Sequence, residues 1–566
     1  MSVNGTSNAQ VALISLYSKQ YPAIGESHGL SVVAGALEAA LPADQLQMRV
    51  LDMVQWGVES SDRAVELIHE VKANILAVGL PYGTFSVFQR EYPAMRSALY
   101  GSDPLVVLGG PIATYLSDRI LHEIAPNAVI IVGEAEQALP AVIQAWLRRR
   151  PMADIPNLHY IDRRTSSEIR TPRRLADLAV SSLPHRAHIH SIYEKGGQIY
   201  TESSRGCSWA ACTFCLRGLT DIAGRGHEYR RKQASLMASD LRALSELGIT
   251  DVTFADEDFL GSPLASAEHF IDSLQLTITN SPKFDASLTI HSVCSRRDTA
   301  DERYTRQRLL AKLAQMGLQK VFLGIESCSG SQLKRYAKGH TREEAVAATR
   351  MLQQLGIRVE IGVILFDPLC TLDEVEDSLR FMRDNDLVRL ASGISSELRL
   401  QKWSHYMMML RKYEAQHNVK LCSGELDADT LSYPYTFADK SVQGFFNAVG
   451  RWNRRLHPLY YPAKSLSRFG ATGAMGSAVY PLREATERFR DASCDALLQS
   501  ISAIKTGADG EAVLDQCLGR AAASLAHAVL GSLSALTPEQ AQHPVVQQAA
   551  AAAATDASLG PKAAKA

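Results

Sequence analysis

The chain has 566 residues, 46% of them apolar and 21% charged, with a formal net charge of −1. This length calls for several domains, the composition is that of a globular protein, and the near-zero charge gives no overall attraction to nucleic acid or an anionic membrane. No basic segment followed by an apolar run opens the sequence, and no strongly apolar stretch of about 18 residues occurs, so neither a signal peptide nor a membrane span is expected. Nine cysteines, odd in number and unevenly spaced, fit a reducing cytoplasm, where clustered thiols bind metal or react.

Residues 1–150 alternate apolar β-rich runs (11–17, 48–53, 75–80, 105–110, 128–134) with helical patterns (29–41, 62–72, 87–99, 135–147). Strands apolar throughout and separated by helices predict a Rossmann-like, doubly wound parallel sheet covered on both faces. Such sheets bind ligands beyond the strand C-termini. The loops there are built from small residues: "PYGTF" (81–85), "GGPIAT" (109–114) and "GEAE" (133–136). They let backbone approach a large ligand, or merely turn strand into helix; spacing alone does not separate the two.

Residues 151–195 have turn and charge character and read as a linker. A second β/α series spans 196–395, with strands at 198–203, 250–254, 286–292, 320–326 and 358–366. Five βα units predict a full or partial β/α barrel of the TIM type, with its chemistry at the strand C-termini. Residues 396–540 break the pattern with aromatic clusters and Ala/Leu-rich helical stretches, a mostly helical region and the candidate for substrate recognition. Tyr433, Tyr435 and Tyr460 are its candidate site residues, although core packing is the commoner role of such side chains. The Ala-rich end, 541–566, reads as disordered.

"ESSRGCSWAACTFCLRG" (202–218) places Cys207, Cys212 and Cys215 just past the first barrel strand. Three unrelated buried cysteines are one reading. A structural zinc is a second, with a distant fourth ligand such as His227 or Cys294. The third is an iron–sulfur cluster with one iron left open to a small molecule, since clusters with four cysteines are the usual electron carriers.

A three-cysteine loop after the first strand of a β/α barrel resembles the radical S-adenosylmethionine (SAM) superfamily. There three thiolates hold a [4Fe–4S] cluster whose unique iron chelates SAM. The usual spacing is C-x3-C-x2-C; this chain has C-x4-C-x2-C. Supporting motifs follow in order. Phe214 matches the aromatic near the adenine. "FADEDF" (254–259) resembles the acidic motif for the SAM ammonium, implicating Asp256 and Glu257. "HSVCSRRD" (291–298) resembles the region that meets the carboxylate, implicating Ser295, Arg296 and Arg297. "GIESCS" (324–329) places Glu326 for the ribose hydroxyls, and "GVILFDP" (362–368) places Ile364 at the adenine strand. Singly, such carboxylates are more often caps or ion-pair partners and such arginines solvated.

A doubly wound domain before such a barrel resembles the cobalamin-dependent class of radical SAM enzymes. The resemblance implies cobalamin contacts from Asp52, Tyr82, Gly83, Thr84, Gly109, Gly110, Pro111, Gly133 and Glu134. The cobalt-ligating motif D-x-H-x-x-G has only the partial match "ESHGLS" (26–31), so His28 is read as a structural or cap residue. The class implies a methyltransferase that takes a methyl group from SAM, through cobalamin, to a carbon of a small-molecule or peptide substrate of natural-product type. Flavodoxin or ferredoxin would be its electron donor. Other members of the class oxidise, cyclise or rearrange. A tRNA-modifying enzyme and a non-catalytic corrin sensor are further alternatives.

Overall fold

The computed structural model describes residues 8–23, 25–216, 229–277, 281–472 and 476–557. The first sheet contains β1 (Ala9–Ser15), β2 (Leu46–Asp52), β3 (Ile75–Gly79), β4 (Leu105–Gly109), β5 (Val129–Ile131), β6 (Leu158–Ile161) and β7 (Glu168–Arg170). Its order is β2-β1-β3-β4-β5-β6-β7, with the first five strands parallel. Alternate residues of β1 enter opposite cores, Val11 and Leu13 on one face and Ala12 and Ile14 on the other. Burial on both faces explains why these strands are apolar without alternation.

β6 and β7 continue the sheet antiparallel, so part of 151–195 belongs to the first domain and is not a linker. Leu158 and Tyr160 enter the core there, too few apolar residues to stand out in a charged stretch.

The second sheet is built from β8 (Tyr200–Thr201), β11 (Asp251–Phe254), β12 (Lys283–Leu288), β13 (Leu318–Glu326) and β14 (Arg358–Val363). It is parallel, in the order β14-β13-β12-β11-β8, and forms an open, partial barrel. A short antiparallel pair, β9 (Ser204–Arg205) and β10 (Arg230–Arg231), stands at its mouth. Three helices behind the strands begin with reciprocal capping boxes, Thr299/Glu302, Thr341/Glu344 and Thr371/Glu374. Each leaves T-x-x-E as a local start signal.

Beyond residue 400 the chain is mainly helical: His405–His417, Lys440–Thr472, Tyr480–Lys505, Gly510–Leu533 and Pro544–Ala557. The last four of these helices share one apolar core with the barrel, and the first packs into a separate cluster with Tyr336, Leu398 and Leu400. The last helix corrects the expectation of a disordered end. Its small side chains Val546, Ala549 and Ala553 are buried, and Asp556 pairs with Arg455. Residues 558–566 lie outside the described residues. No described helix is long and apolar enough to cross a membrane.

Candidate active site

The cysteine loop leaves β9 at Arg205. Gly206 (φ 86°) and Ala210 (φ 42°) take left-handed backbone. For alanine this costs about 1–2 kcal/mol. Ala210 lies in the gap between Cys207 and Cys212, so the longer spacing is accommodated by a bulge at that residue. Neighbouring elements hold the loop. Ser208 donates to Asp258, and Trp209 Nε1 donates to the Ala337 carbonyl at 2.9 Å. The Trp209 ring stacks on His291, with centroids 4.1 Å apart. Thr213 donates its N–H to Tyr336 O at 3.0 Å and its hydroxyl to Arg335 O at 2.9 Å, and its carbonyl accepts the Tyr406 N–H.

Cys207, Cys212 and Cys215 are all half-buried. Their sulfurs are not all within 4.8 Å of one another; among the described residues only Asp118, His159 and Glu168 form such a group of ligand atoms. One tetrahedral zinc, with Zn–S bonds of about 2.3 Å, would draw its sulfurs to about 3.8 Å. The thiols are thus not gathered as a single zinc would gather them, and Cys215 nevertheless acts on both Cys207 and Cys212. Burial pushes the Cys207 thiol up and the Cys212 thiol up to about 11, against the pull of Lys338 on the latter. Holding Cys207 and Cys212 as thiolates calls for a strong local cation, which a metal cluster provides. His227, one of the distant zinc ligands considered, lies outside the described residues. Cys294 is turned elsewhere, with Sγ 3.4 Å from the Glu344 carbonyl.

The acidic motif divides its work differently from expectation. Asp256 is fully enclosed and accepts the Ser203 N–H (2.9 Å), the Ser203 hydroxyl (2.6 Å) and the Ser204 hydroxyl. Burial raises its pKa. It staples the strand entering the cysteine loop through Ser203 and Ser204. Glu257 accepts the Gly206 N–H at 3.1 Å, beside Cys207. Asp258, not singled out from sequence, is buried and joins Ser208 of the loop to Ser292 and Thr289 beyond β12.

Arg296 and Arg297 are exposed. The Arg296 N–H bonds Glu344, and Ser295 and Asp298 close a local turn before helix Ala300–Gln315. A short helix, Ile290–Val293, ends the strand early and carries these residues outward, so Ser292 is the serine reaching the site.

Glu326 ends β13 with φ 70°, a strained position for a residue with a Cβ. A Cβ added at Gly324 would stand 2.9 Å from its Oε1, and one at Gly362 would stand 3.4 Å from its Oε2, so these glycines make its room. Lys338, also unpredicted, is buried with Nζ 3.7 Å from Glu326 Oε1. Phe214 and Ile364 pack against one apolar cluster around Tyr336, Leu398 and Tyr406, as do Tyr433 and Tyr435. Beneath it Asp367 accepts from Arg335, Tyr336, Tyr406, Gln332 and the Leu369 N–H.

At the C-terminal edge of the first sheet Gly109 has nothing within 4 Å of a would-be Cβ, room for close approach of a large ligand. Gly110 (φ 89°) and Gly133 (φ 98°) turn beside it, and Pro111 opens helix Gly110–Tyr115. Of these positions Gly109 leaves open space, while a Cβ at Gly110 would stand 2.8 Å from the Leu80 carbonyl oxygen. The polar residues expected there have protein partners. Asp52 accepts the Ser27 N–H at 2.6 Å and the Val54 N–H at 3.2 Å. Thr84 donates to Pro81 O, and Glu134 pairs with Arg230 and Arg205 across the domain boundary. The Gly83 N–H bonds the Asp429 carbonyl, and Tyr82 is 37% exposed. His28 opens helix His28–Ala40 with both ring nitrogens enclosed and without a hydrogen bond, and Glu26 stands 3.7 Å away.

Tyr433 and Tyr435 line a cavity of about 830 Å³ with Glu397, Arg399 and Arg454. Tyr460 does not join them. It is a core residue whose hydroxyl meets Arg490 at 2.9 Å and the Ser392 carbonyl at 3.3 Å. A larger cavity, about 1340 Å³, opens where the barrel strands begin, among Asp285, Lys320, Glu360 and Lys464. Chemistry on β/α barrels sits at the other end, with the cysteines.

Residues 201–382 match the model of the radical SAM superfamily. A curated protein of Priestia megaterium, 4'-phospho-dehydrooxetanocin synthase, is 26% identical over 370 residues, covering 63% of this chain and 49% of that protein. The chain thus spans about half the length of that relative. The cobalamin-dependent SAM radical enzyme OxsB, solved with aqua-cobalamin and SAM bound, superposes with a TM-score of 0.77 at 19% identity, covering 97% of this chain and 80% of that one. The radical SAM methyltransferase TsrM of Kitasatospora setae, solved with cobalamin and a [4Fe–4S] cluster, gives a TM-score of 0.63 at 17% identity, covering 85% and 99%. At these identities the structural likenesses establish the fold.

Proposed function

We propose that this chain, which matches the radical SAM superfamily over residues 201–382 and has the fold of the cobalamin-dependent radical SAM enzymes, is a methyltransferase of that class, moving a methyl group from SAM through cobalamin to a carbon of a small-molecule or peptide substrate. The observation that carries the reading is the loop of three half-buried thiols at the mouth of a parallel barrel, tied through Arg205 to Glu134 and Glu136 beside Gly133 of the first sheet's edge. Bound there, a [4Fe–4S] cluster and cobalamin would supply the radical and methyl-transfer chemistry that no side chain can.

Cys207, Cys212 and Cys215 hold the cluster. Glu326, projecting over Gly324 and Gly362, accepts the ribose hydroxyls of SAM, and Glu257 takes its ammonium group. Phe214 and Ile364 flank the adenine. Gly109, Gly110, Pro111 and Gly133 bring backbone to the corrin. Tyr433 and Tyr435 border the substrate and exclude water from it. The electron arrives from a flavodoxin- or ferredoxin-type donor.

One observation favours a second reading, a non-methylating cobalamin-dependent radical reaction: the Priestia megaterium relative is a synthase. Anaerobic reconstitution with iron, sulfide and hydroxocobalamin, followed by SAM-product analysis, tests both. The methyltransferase gives four irons per chain, a corrin absorption band, and both S-adenosylhomocysteine and 5′-deoxyadenosine with substrate. 5′-Deoxyadenosine without S-adenosylhomocysteine selects the second reading. A Cys207→Ala protein that still binds a full cluster and cleaves SAM overturns both.

A further inference from the structure

The segment after helix Gly330–Arg335 wraps under the cysteine loop and delivers one charge to it. Trp209 of the loop donates to the Ala337 carbonyl and covers Gly339, where a Cβ would stand 2.1 Å from its ring. His291, stacked on that indole, meets the Lys338 carbonyl at 2.9 Å. Main chain on both sides of Lys338 is therefore fixed, and its side chain, 9% exposed, runs inward. Among the described residues Nζ pairs with one carboxylate, Glu326 Oε1, at the loose distance of 3.7 Å. The Lys338 charge is felt by all three thiols, Cys212 most strongly, and it acts on Cys212 more strongly than Glu326 does.

We infer that Lys338 is a positioning charge that sets the reduction potential of the cluster held by Cys207, Cys212 and Cys215. The inference rests on the cluster assignment above. Accepting one electron from an external low-potential donor makes a thiolate-bound cluster one charge more negative, with no bond made or broken. A cation fixed nearby in a medium of low dielectric favours that reduced form, and net charge is one of the levers that set cluster potentials. Exposed arginines would be screened by solvent; a buried lysine is not.

The test is a redox titration of the reconstituted full chain with titanium(III) citrate, SAM absent, following the EPR signal of the reduced cluster. Lys338→Gln is expected to cut the ratio of reduced to oxidised cluster at a fixed potential by about tenfold, ~59 mV for one electron. Lys338→Arg keeps the charge and stays near wild type. Because Lys338→Gln removes the cation beside half-buried Glu326, the double variant Lys338→Gln/Glu326→Gln is measured beside it; its midpoint falls between those of Lys338→Gln and wild type. A glutamine variant with full iron content and a wild-type midpoint overturns the inference, as does a double variant at or above wild type. Loss of the cluster from both glutamine variants, with Lys338→Arg still loaded, also overturns it, since the charge would then serve assembly. A wild-type chain that takes up no four-iron cluster fails the assignment beneath it instead.

Discussion

Asp367 shows what one side chain can hold together. Its carboxylate receives two bonds from Arg335, and one each from Gln332, Tyr336, Tyr406 and the Leu369 N–H. Arg335 and Tyr336 in turn offer the carbonyls that bind Thr213, between two cluster cysteines. Asp367→Asn leaves Arg335 with Glu374 as its carboxylate partner and turns one of the two oxygens that the tyrosines share into an amide donor. Breaking one side of such a buried pair costs about 3–5 kcal/mol. Denaturant unfolding of the variant should show that loss, together with lower iron uptake on reconstitution. Ala210 makes a smaller prediction. Its left-handed backbone tolerates glycine but not a β-branched residue. Ala210→Val should lose iron while Ala210→Gly keeps it, as measured by iron per chain.

At the scale of elements, the pattern of the chain discloses the parallel strands and their helices because their signals are local: apolar runs, T-x-x-E starts and glycine turns. The cysteine loop is legible for the same reason, since three thiols in nine positions need no partner from elsewhere to be noticed. What is not legible depends on distant contacts. Lys338 sits in "YAKGH" with nothing beside it to mark it, and gains meaning only when the chain folds it under residues 207–215. Arg296 and Arg297 follow a promising strand, but the helix at Ile290–Val293 ends that strand before they arrive. The Ala-rich helix Pro544–Ala557 looks like low complexity, yet only small side chains fit where Ala549 and Ala553 are buried. Removing residues 544–566 should therefore lower the midpoint of thermal unfolding, read by circular dichroism, where a disordered tail would leave it unchanged.

Across the whole molecule, buried ion pairs join the first domain to the barrel. Arg186 bonds Glu26 at 2.9 Å and Asp240 at 2.8 Å, and Glu26 also accepts the Tyr200 N–H of β8. Burial alone would raise the Glu26 carboxyl, but His28, Arg186 and that N–H outweigh it and hold it at about 2, below its usual 4.5. A carboxyl lowered on folding stabilises the fold above its unfolded value, and the gain fades as pH falls from about 4.5 toward 2. Asp52 has the opposite sign. Burial pushes it up to about 6 from 3.8, so its contribution is present below 3.8 and is lost as pH rises through about 6. Unfolding free energy measured against pH should fall on the acid side through Glu26, by on the order of 3 kcal/mol, and Glu26→Gln should flatten that limb.

The contact between His543 Nε2 and the Lys195 carbonyl, at 3.0 Å, links positions 348 residues apart. Lys195 lies five residues before the first strand of the barrel, and the helix that follows His543 packs into the same core. The strands of the first domain can pair while most of the chain is still being synthesised, because they lie within one stretch, although one face of its core waits for Ala428 and Leu431. The barrel cannot close then, since its opening strand borders a surface that a segment made much later completes. Contacts of such long sequence separation are slow to form and leave apolar surface waiting. During translation the half-built barrel is therefore the stage at which a chaperone has the most to shield.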